Sequence, residues 1–237
     1  MIPLRDNIPA SRFPAVTLGI IALNVVVFLN ELKLGPRLPE FFLHFGIVPA
    51  RYTDPAIAQH FSLEAQVIAF FSSMFLHGGW IHLIGNMWIL WIFGDNVEDR
   101  LGRLRYLALY LASGLSAGLL HIYTNPNSTM PTVGASGAIA GVMGSYFRFY
   151  PFAKVETLIP PFFFGPTFVL PAVLFLGWWF LLQFFNGALS LGARAHDFSG
   201  VAWWAHVGGF TFGFAVSLLA GSKRTPRRAA PAFIDVG

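Results

Sequence analysis

Cysteine is absent from all 237 residues. That excludes thiol nucleophiles, Cys-based metal sites and a disulfide scaffold. Charge is almost as scarce. Asp, Glu, Lys and Arg make up 11% of the chain, against roughly 25% in an ordinary soluble domain. A soluble body of this size would lack the polar side chains to clothe its surface. Disorder is excluded by the opposite excess, since 55% of the residues are hydrophobic and 16% aromatic. The 24 glycines follow no strict period, which excludes collagen. What remains is an integral membrane protein whose solvent is the lipid bilayer.

The scarce charges divide the chain. Residues 13–30, 65–94, 106–147, 157–193 and 198–222 contain no Asp, Glu, Lys or Arg. A spanning helix needs about 20 mostly apolar residues. The third run is long enough for two spans, and Thr124-Asn125-Pro126-Asn127-Ser128-Thr129-Met130-Pro131 breaks it. The sequence therefore predicts six helices, over 13–30, 78–96, 104–123, 134–150, 168–187 and 203–222. These runs are continuous and too long for barrel strands. The expected fold class is an all-α membrane protein, a six-helix bundle with a long first outer connection over about residues 31–77. That connection holds Pro36, Pro39, Pro49 and Pro55 beside apolar pieces such as Phe41-Phe42-Leu43, a composition suited to the membrane interface.

The basic residues set orientation. With the N-terminus cytoplasmic, inner segments hold 11 Lys and Arg and outer segments hold 4, Lys33, Arg37, Arg51 and Arg194. The positive-inside rule then puts both termini in the cytoplasm. The first apolar run lacks a small-residue cleavage site and reads as the first helix, not a signal peptide. Three parts are expected: a cytoplasmic segment over 1–13, a membrane domain over 14–222, and a disordered basic tail over 223–237 that favours anionic headgroups. The net charge of +4 follows from this asymmetry and is no sign of nucleic acid.

Polar residues inside apolar helices are expensive and mark sites where chemistry is carried. Those in the predicted spans include Asn24, His82, Asn86, Ser113, Ser116, His121, Ser136, Ser145, Gln183, Asn186, His206 and Ser217. Taken singly, each reads best as a helix-to-helix bridge or a back-bonded side chain. Four share a depth. His82 and Asn86 lie four apart, on one face of the outer half of the second helix. Ser136 opens the fourth helix, and His206 follows the interfacial pair Trp203-Trp204 at the start of the sixth. All four fall within roughly 12 Å of the outer helix ends at 1.5 Å per residue. The first turn at Ser136 offers unpaired backbone N–H groups and a dipole that favours negative charge, as an oxyanion requires. Gly209 and Gly213 make a small-residue face able to press the sixth helix on the fourth.

Phe75-Leu76-His77-Gly78-Gly79-Trp80-Ile81-His82-Leu83-Ile84-Gly85-Asn86-Met87, then Gly134-Ala135-Ser136-Gly137, then Ala205-His206-Val207-Gly208-Gly209 stand in order on the second, fourth and sixth helices. In this pattern the chain resembles the rhomboid family of intramembrane serine proteases, over about residues 14 to 222. The resemblance implies Ser136 as nucleophile and His206 as general base and acid. It implies His82, Asn86 and the backbone N–H of Ser136 as the oxyanion site, with His77 structural. The stretch from Gly94 to Arg100, with Glu98, resembles the family's cytoplasmic exit from the second helix, also structural. One position departs. Some family members carry Tyr or Phe four residues after the nucleophile, beneath the histidine, and here that residue is Ala140.

No Asp or Glu lies at the depth of Ser136 and His206, so the expected machinery is a dyad and not a triad. No cofactor and no metal are expected, because neither Cys nor a carboxylate is available at that depth. The expected partners are the bilayer and transmembrane protein substrates. The resemblance also suggests lateral access past the fifth helix, whose Trp178, Trp179, Phe180, Phe184 and Phe185 either gate access or face lipid, lipid being favoured for most. The expected location is the plasma (inner) membrane of a prokaryote, with the site toward the outer face. Rival readings are a transporter or channel, a haem or metal protein using His77, His82, His121 and His206, and a rhomboid-like pseudoprotease that only binds membrane partners.

Overall fold

The computed structural model describes residues 1–158, 167–191 and 201–220. The basic tail from Lys223 and Arg194 lie outside the described residues. The chain is mostly helical. A short strand β1 (Ile2–Asp6) precedes the long helix α1 (Ala15–Glu31). Four short helices follow, α2 (Leu38–Phe45), α3 (Ala50–Thr53), α4 (Pro55–Ala58) and α5 (Leu63–Ser72). Then come α6 (Trp80–Leu101), α7 (Arg103–Thr124) and α8 (Ser136–Phe149), the strands β2 (Lys154–Leu158) and β3 (Phe168–Pro171), and the helices α9 (Ala172–Ser190) and α10 (Trp203–Leu219).

By length and composition, α7 and α9 can each cross a membrane. Counting bent pairs as single spans raises the number among the described residues to four: α1 with residues 35–45, bent by 114°, and residues 63–75 with α6, bent by 79°. The helices α8 and α10 are 14 and 17 residues long. At 1.5 Å per residue α8 is only about 21 Å in length. Every residue from Gly137 to Tyr146 on it is buried, so its apolar surface is spent on neighbouring helices.

The all-α expectation needs one correction. The three strands form an antiparallel sheet in the order β1-β2-β3. Ile2 pairs with Leu158, Asp6 with Val155, and Lys154 with Pro171. Residues 168–171, read from sequence as the start of the fifth helix, are strand. Pro171 ends the strand and enters the helix, where its missing N–H costs no hydrogen bond. The segment 1–13 is likewise strand in part. Trp88 Nε1 donates to the Pro3 carbonyl at 2.7 Å. Asp6 accepts from Asn96 Nδ2 at 3.1 Å and from the Tyr146 hydroxyl. Burial pushes the Asp6 carboxyl up to about 7, and the nearby Asp95 adds to the rise.

Two contacts show how distant residues finish these helices. The sequence before α1 supplies no side-chain cap. Glu98 of α6 supplies it instead, accepting from Val16 N, Thr17 N and Thr17 Oγ1 at 2.8–3.0 Å. A carboxylate there also meets the positive end of the helix dipole. In the outer connection, buried Arg51 donates through Nη1 to the Leu43 and His44 carbonyls at the end of α2. Its guanidinium lies 3.8 Å from the Phe61 ring centroid. Between α6 and α7 the chain reverses at Gly102, whose φ of 81° falls where side chains are disfavoured.

Candidate active site

The fourth long helix, α8, begins at Ser136 with no side-chain cap of its own. Its first helical bond runs from Ile139 N to the Ala135 carbonyl at 2.9 Å. The N–H groups of Ser136, Gly137 and Ala138 therefore precede the hydrogen-bonded ladder and sit at the positive end of the dipole. Just ahead, Gly134 adopts a φ of 131°. A Cβ there would also stand 2.7 Å from His82 Nε2 and 3.7 Å from Asn86 Nδ2. Glycine at this position thus permits the turn and lets the His82 and Asn86 side chains reach the head of α8.

The approach of α10 to α8 is closer still. A methyl added at Gly209 would collide with the Gly137 carbonyl, one at Gly213 with the Gly141 carbonyl, and one at Gly144 with the Phe210 carbonyl. Ser145 Oγ donates across the same seam to the Gly213 carbonyl at 3.1 Å. With backbones in contact, His206 on the first turn of α10 reaches the first turn of α8. Ser136 Oγ lies 2.8 Å from His206 Nε2. The other ring nitrogen, Nδ1, lies 2.7 Å from Gln183 Oε1 on α9.

A cavity of about 870 Å³ opens on this pair, and His82, Asn86, His121, Thr132, Ser136 and His206 are among its lining residues. The four residues singled out by depth thus meet around one cavity. Asn86 Nδ2 is 3.0 Å from His77 Nε2, and the His77 and His82 rings are 5.1 Å apart in an edge arrangement. His121 Nε2 meets Thr132 Oγ1 at 2.8 Å, tying the loop before Ser136 to α7. The same loop exchanges backbone hydrogen bonds with the outer connection, between Ile47 and Thr132. Among the described residues no group of three His, Asp or Glu is placed to hold a metal.

Two residues beside His206 carry more than their sequence reading gave them. Gln183 appears there only as one polar residue among many, and Trp179 only among aromatics of the fifth helix. Trp179 packs its ring 5.7 Å from the imidazole at 36°. Their spacing, four apart on one helix, was the available signal. Of the other aromatics, Trp178, Phe184 and Phe185 are exposed, while Phe180 turns inward to Phe210, 4.7 Å between centroids.

Arranged this way, the hydroxyl can pass its proton to the ring, and the helix head offers N–H donors to a developing negative charge. The family model described as Rhomboid domain matches residues 64–223. Presenilin-associated rhomboid-like protein A, mitochondrial, of Danio rerio is 31% identical over 185 residues, which is 73% of this chain and 44% of that protein. RHOMBOID-like protein 5 of Arabidopsis thaliana is 36% identical over 116 residues, 49% of this chain and 34% of that one. Rhomboid-like protease 5 of Toxoplasma gondii is 42% identical over 80 residues, 32% of this chain and 9% of that one. The chain spans less than half the length of each of these relatives.

Proposed function

Because this chain belongs to the rhomboid family, we propose that it is an intramembrane serine endopeptidase that cleaves transmembrane segments of membrane proteins. The observation that carries the reading is the 2.8 Å contact between Ser136 Oγ and His206 Nε2 at the open end of a buried helix. Neutral His206 takes the Ser136 proton as Oγ attacks a peptide carbonyl. The oxyanion is held by His82, Asn86 and the Ser136 N–H. Protonated His206 then gives its proton to the leaving amine, and water from the cavity hydrolyses the acyl-enzyme.

A spanning substrate helix has its carbonyls engaged in its own hydrogen bonds. The substrate must therefore unwind near the cut, so small or helix-breaking residues are expected there. Lateral access past α9 suits the exposed Trp178, Phe184 and Phe185. We assign six spans, α1, α6, α7, α8, α9 and α10, within a membrane domain over residues 14–222. Both termini are cytoplasmic and the cavity faces outward, in the inner membrane of a prokaryote. The uneven distribution of basic residues supports the orientation.

The test is incubation of the purified protein with a panel of single-span substrates, comparing wild type with Ser136→Ala and His206→Ala. Cleavage by wild type alone supports the reading. Cleavage retained by either variant overturns the dyad.

A further inference from the structure

The histidine in this site has two neighbours on α9 that the reading above does not use. Gln183 is buried at 6% exposure and sits behind the ring, away from the cavity. Its Nε2 donates to the Trp179 carbonyl at 3.3 Å. That bond turns the amide oxygen toward His206, 2.7 Å from Nδ1. An amide oxygen only accepts, so Nδ1 must carry the ring proton. Nε2 is then left with its lone pair directed at the Ser136 hydroxyl, 2.8 Å away. Trp179, one turn earlier on the same face, covers the ring.

Nothing on α8 supplies such a cover. The residue four after the nucleophile is Ala140, fully buried. Its methyl lies 3.4 Å from where a Cβ on Gly209 would stand.

We propose that Gln183 is a positioning residue that fixes His206 in the Nδ1–H tautomer, with Trp179 holding the ring plane, so that docking of α9 completes the base. This rests on the Ser136–His206 reading and extends it. The site then has a neutral amide where soluble serine proteases use a carboxylate. A neutral acceptor orients the ring without adding a charge that must be buried in the membrane. It also makes the base conditional: moving α9 outward removes the acceptor and the ring cover together.

The experiment follows the ring and the nucleophile separately. ¹⁵N-histidine NMR of the full-length protein in detergent reports which ring nitrogen of His206 is protonated, with His206→Ala assigning the signal. A serine-reactive phosphonate, with peptide mapping, reports the labelling rate of Ser136 against pH. Wild type is expected to be protonated at Nδ1. Gln183→Leu is expected to label about 10–100-fold more slowly, by analogy with the loss when a metal-bound histidine is deprived of the outer partner that fixes its tautomer. Gln183→Glu keeps an acceptor and is expected to label faster than Gln183→Leu. Its midpoint should move to higher pH, because a carboxylate favours the imidazolium. A wild-type ring protonated at Nε2, or wild-type labelling by Gln183→Leu, overturns the proposal. So does a Gln183→Glu protein as slow as Gln183→Leu with an unmoved midpoint. Label away from Ser136, or undiminished in His206→Ala, removes the dyad itself and is seen without any change at Gln183.

Discussion

Asn86 Nδ2 sits 3.0 Å from His77 Nε2, so the amide that faces the cavity is held by a ring outside its own helix. One of its two N–H bonds is engaged there and the other is available to a substrate oxygen. Asn86→Ala is expected to slow turnover by about 10²–10³-fold, the range for one oxyanion donor. His77→Ala acts through Asn86 and through the His82 ring it packs against, and a loss of at least about 10-fold is expected, as for an outer partner that orients a metal ligand. The double variant should lose less than the product of the two single losses, because the two side chains are in contact. Steady-state rates on one single-span substrate check this.

The seam between α8 and α10 leaves no room for a methyl group. Gly213→Ala must push backbone atoms of Gly141 aside. A cost of about 1–3 kcal/mol or more is expected for such overpacking. Gly19 on α1 has nothing within 4 Å of an added Cβ, and Gly19→Ala should stabilise by about 0.5–1 kcal/mol through backbone entropy. Thermal midpoints of both proteins in one detergent compare them directly.

Asp6 gives stability a pH dependence of known sign. Its folded-state value is raised by burial from 3.8 to about 7. Between these values the folded chain holds a proton that the unfolded chain has lost. Its contribution therefore falls as pH rises through that window. Asp6→Asn removes the titration, so the variant should gain on wild type as pH rises from about 5 to about 7, by less than about 1.4 kcal/mol per pH unit. Thermal midpoints across that range measure it. A constant difference would detach Asp6 from the effect.

Chelation should leave cleavage intact. The proposed chemistry uses a hydroxyl, an imidazole and N–H donors, none of which needs a metal to act. Activity lost in EDTA and restored by one metal would favour the metalloprotein reading. The measurement is the cleavage rate before and after dialysis against the chelator.

Much of this arrangement is legible in the sequence because apolar runs and polar exceptions carry position directly. Depth along the runs puts His82, Asn86, Ser136 and His206 at one level, and these four line one cavity. The spacing of Gly209 and Gly213 marks the face that meets α8. The sheet is not legible, because its strands are four or five residues long and β1 pairs with a strand some 150 residues away. The cap of α1 is hidden for the same reason, since Glu98 lies 81 residues from Thr17. Gln183 escapes because an amide in an apolar helix has several ordinary uses, and only the position of α10 selects one. The six-span count goes beyond what length and hydropathy establish, since α8 and α10 fall short of a full span.

The two neighbours of His206 are fastened by different means, and heat should tell them apart. The seam joins α10 to α8 through backbone atoms, whereas α9 reaches the ring through the side chains of Trp179 and Gln183. Local opening follows the weaker fastening first. On warming, α9 should loosen while the glycine seam still holds serine and histidine together. Catalysis would then fade over a range of temperature in which the helical signal is unchanged, and return on cooling. The working temperature of the proposed protease would be set by one helix, not by the melting of the bundle.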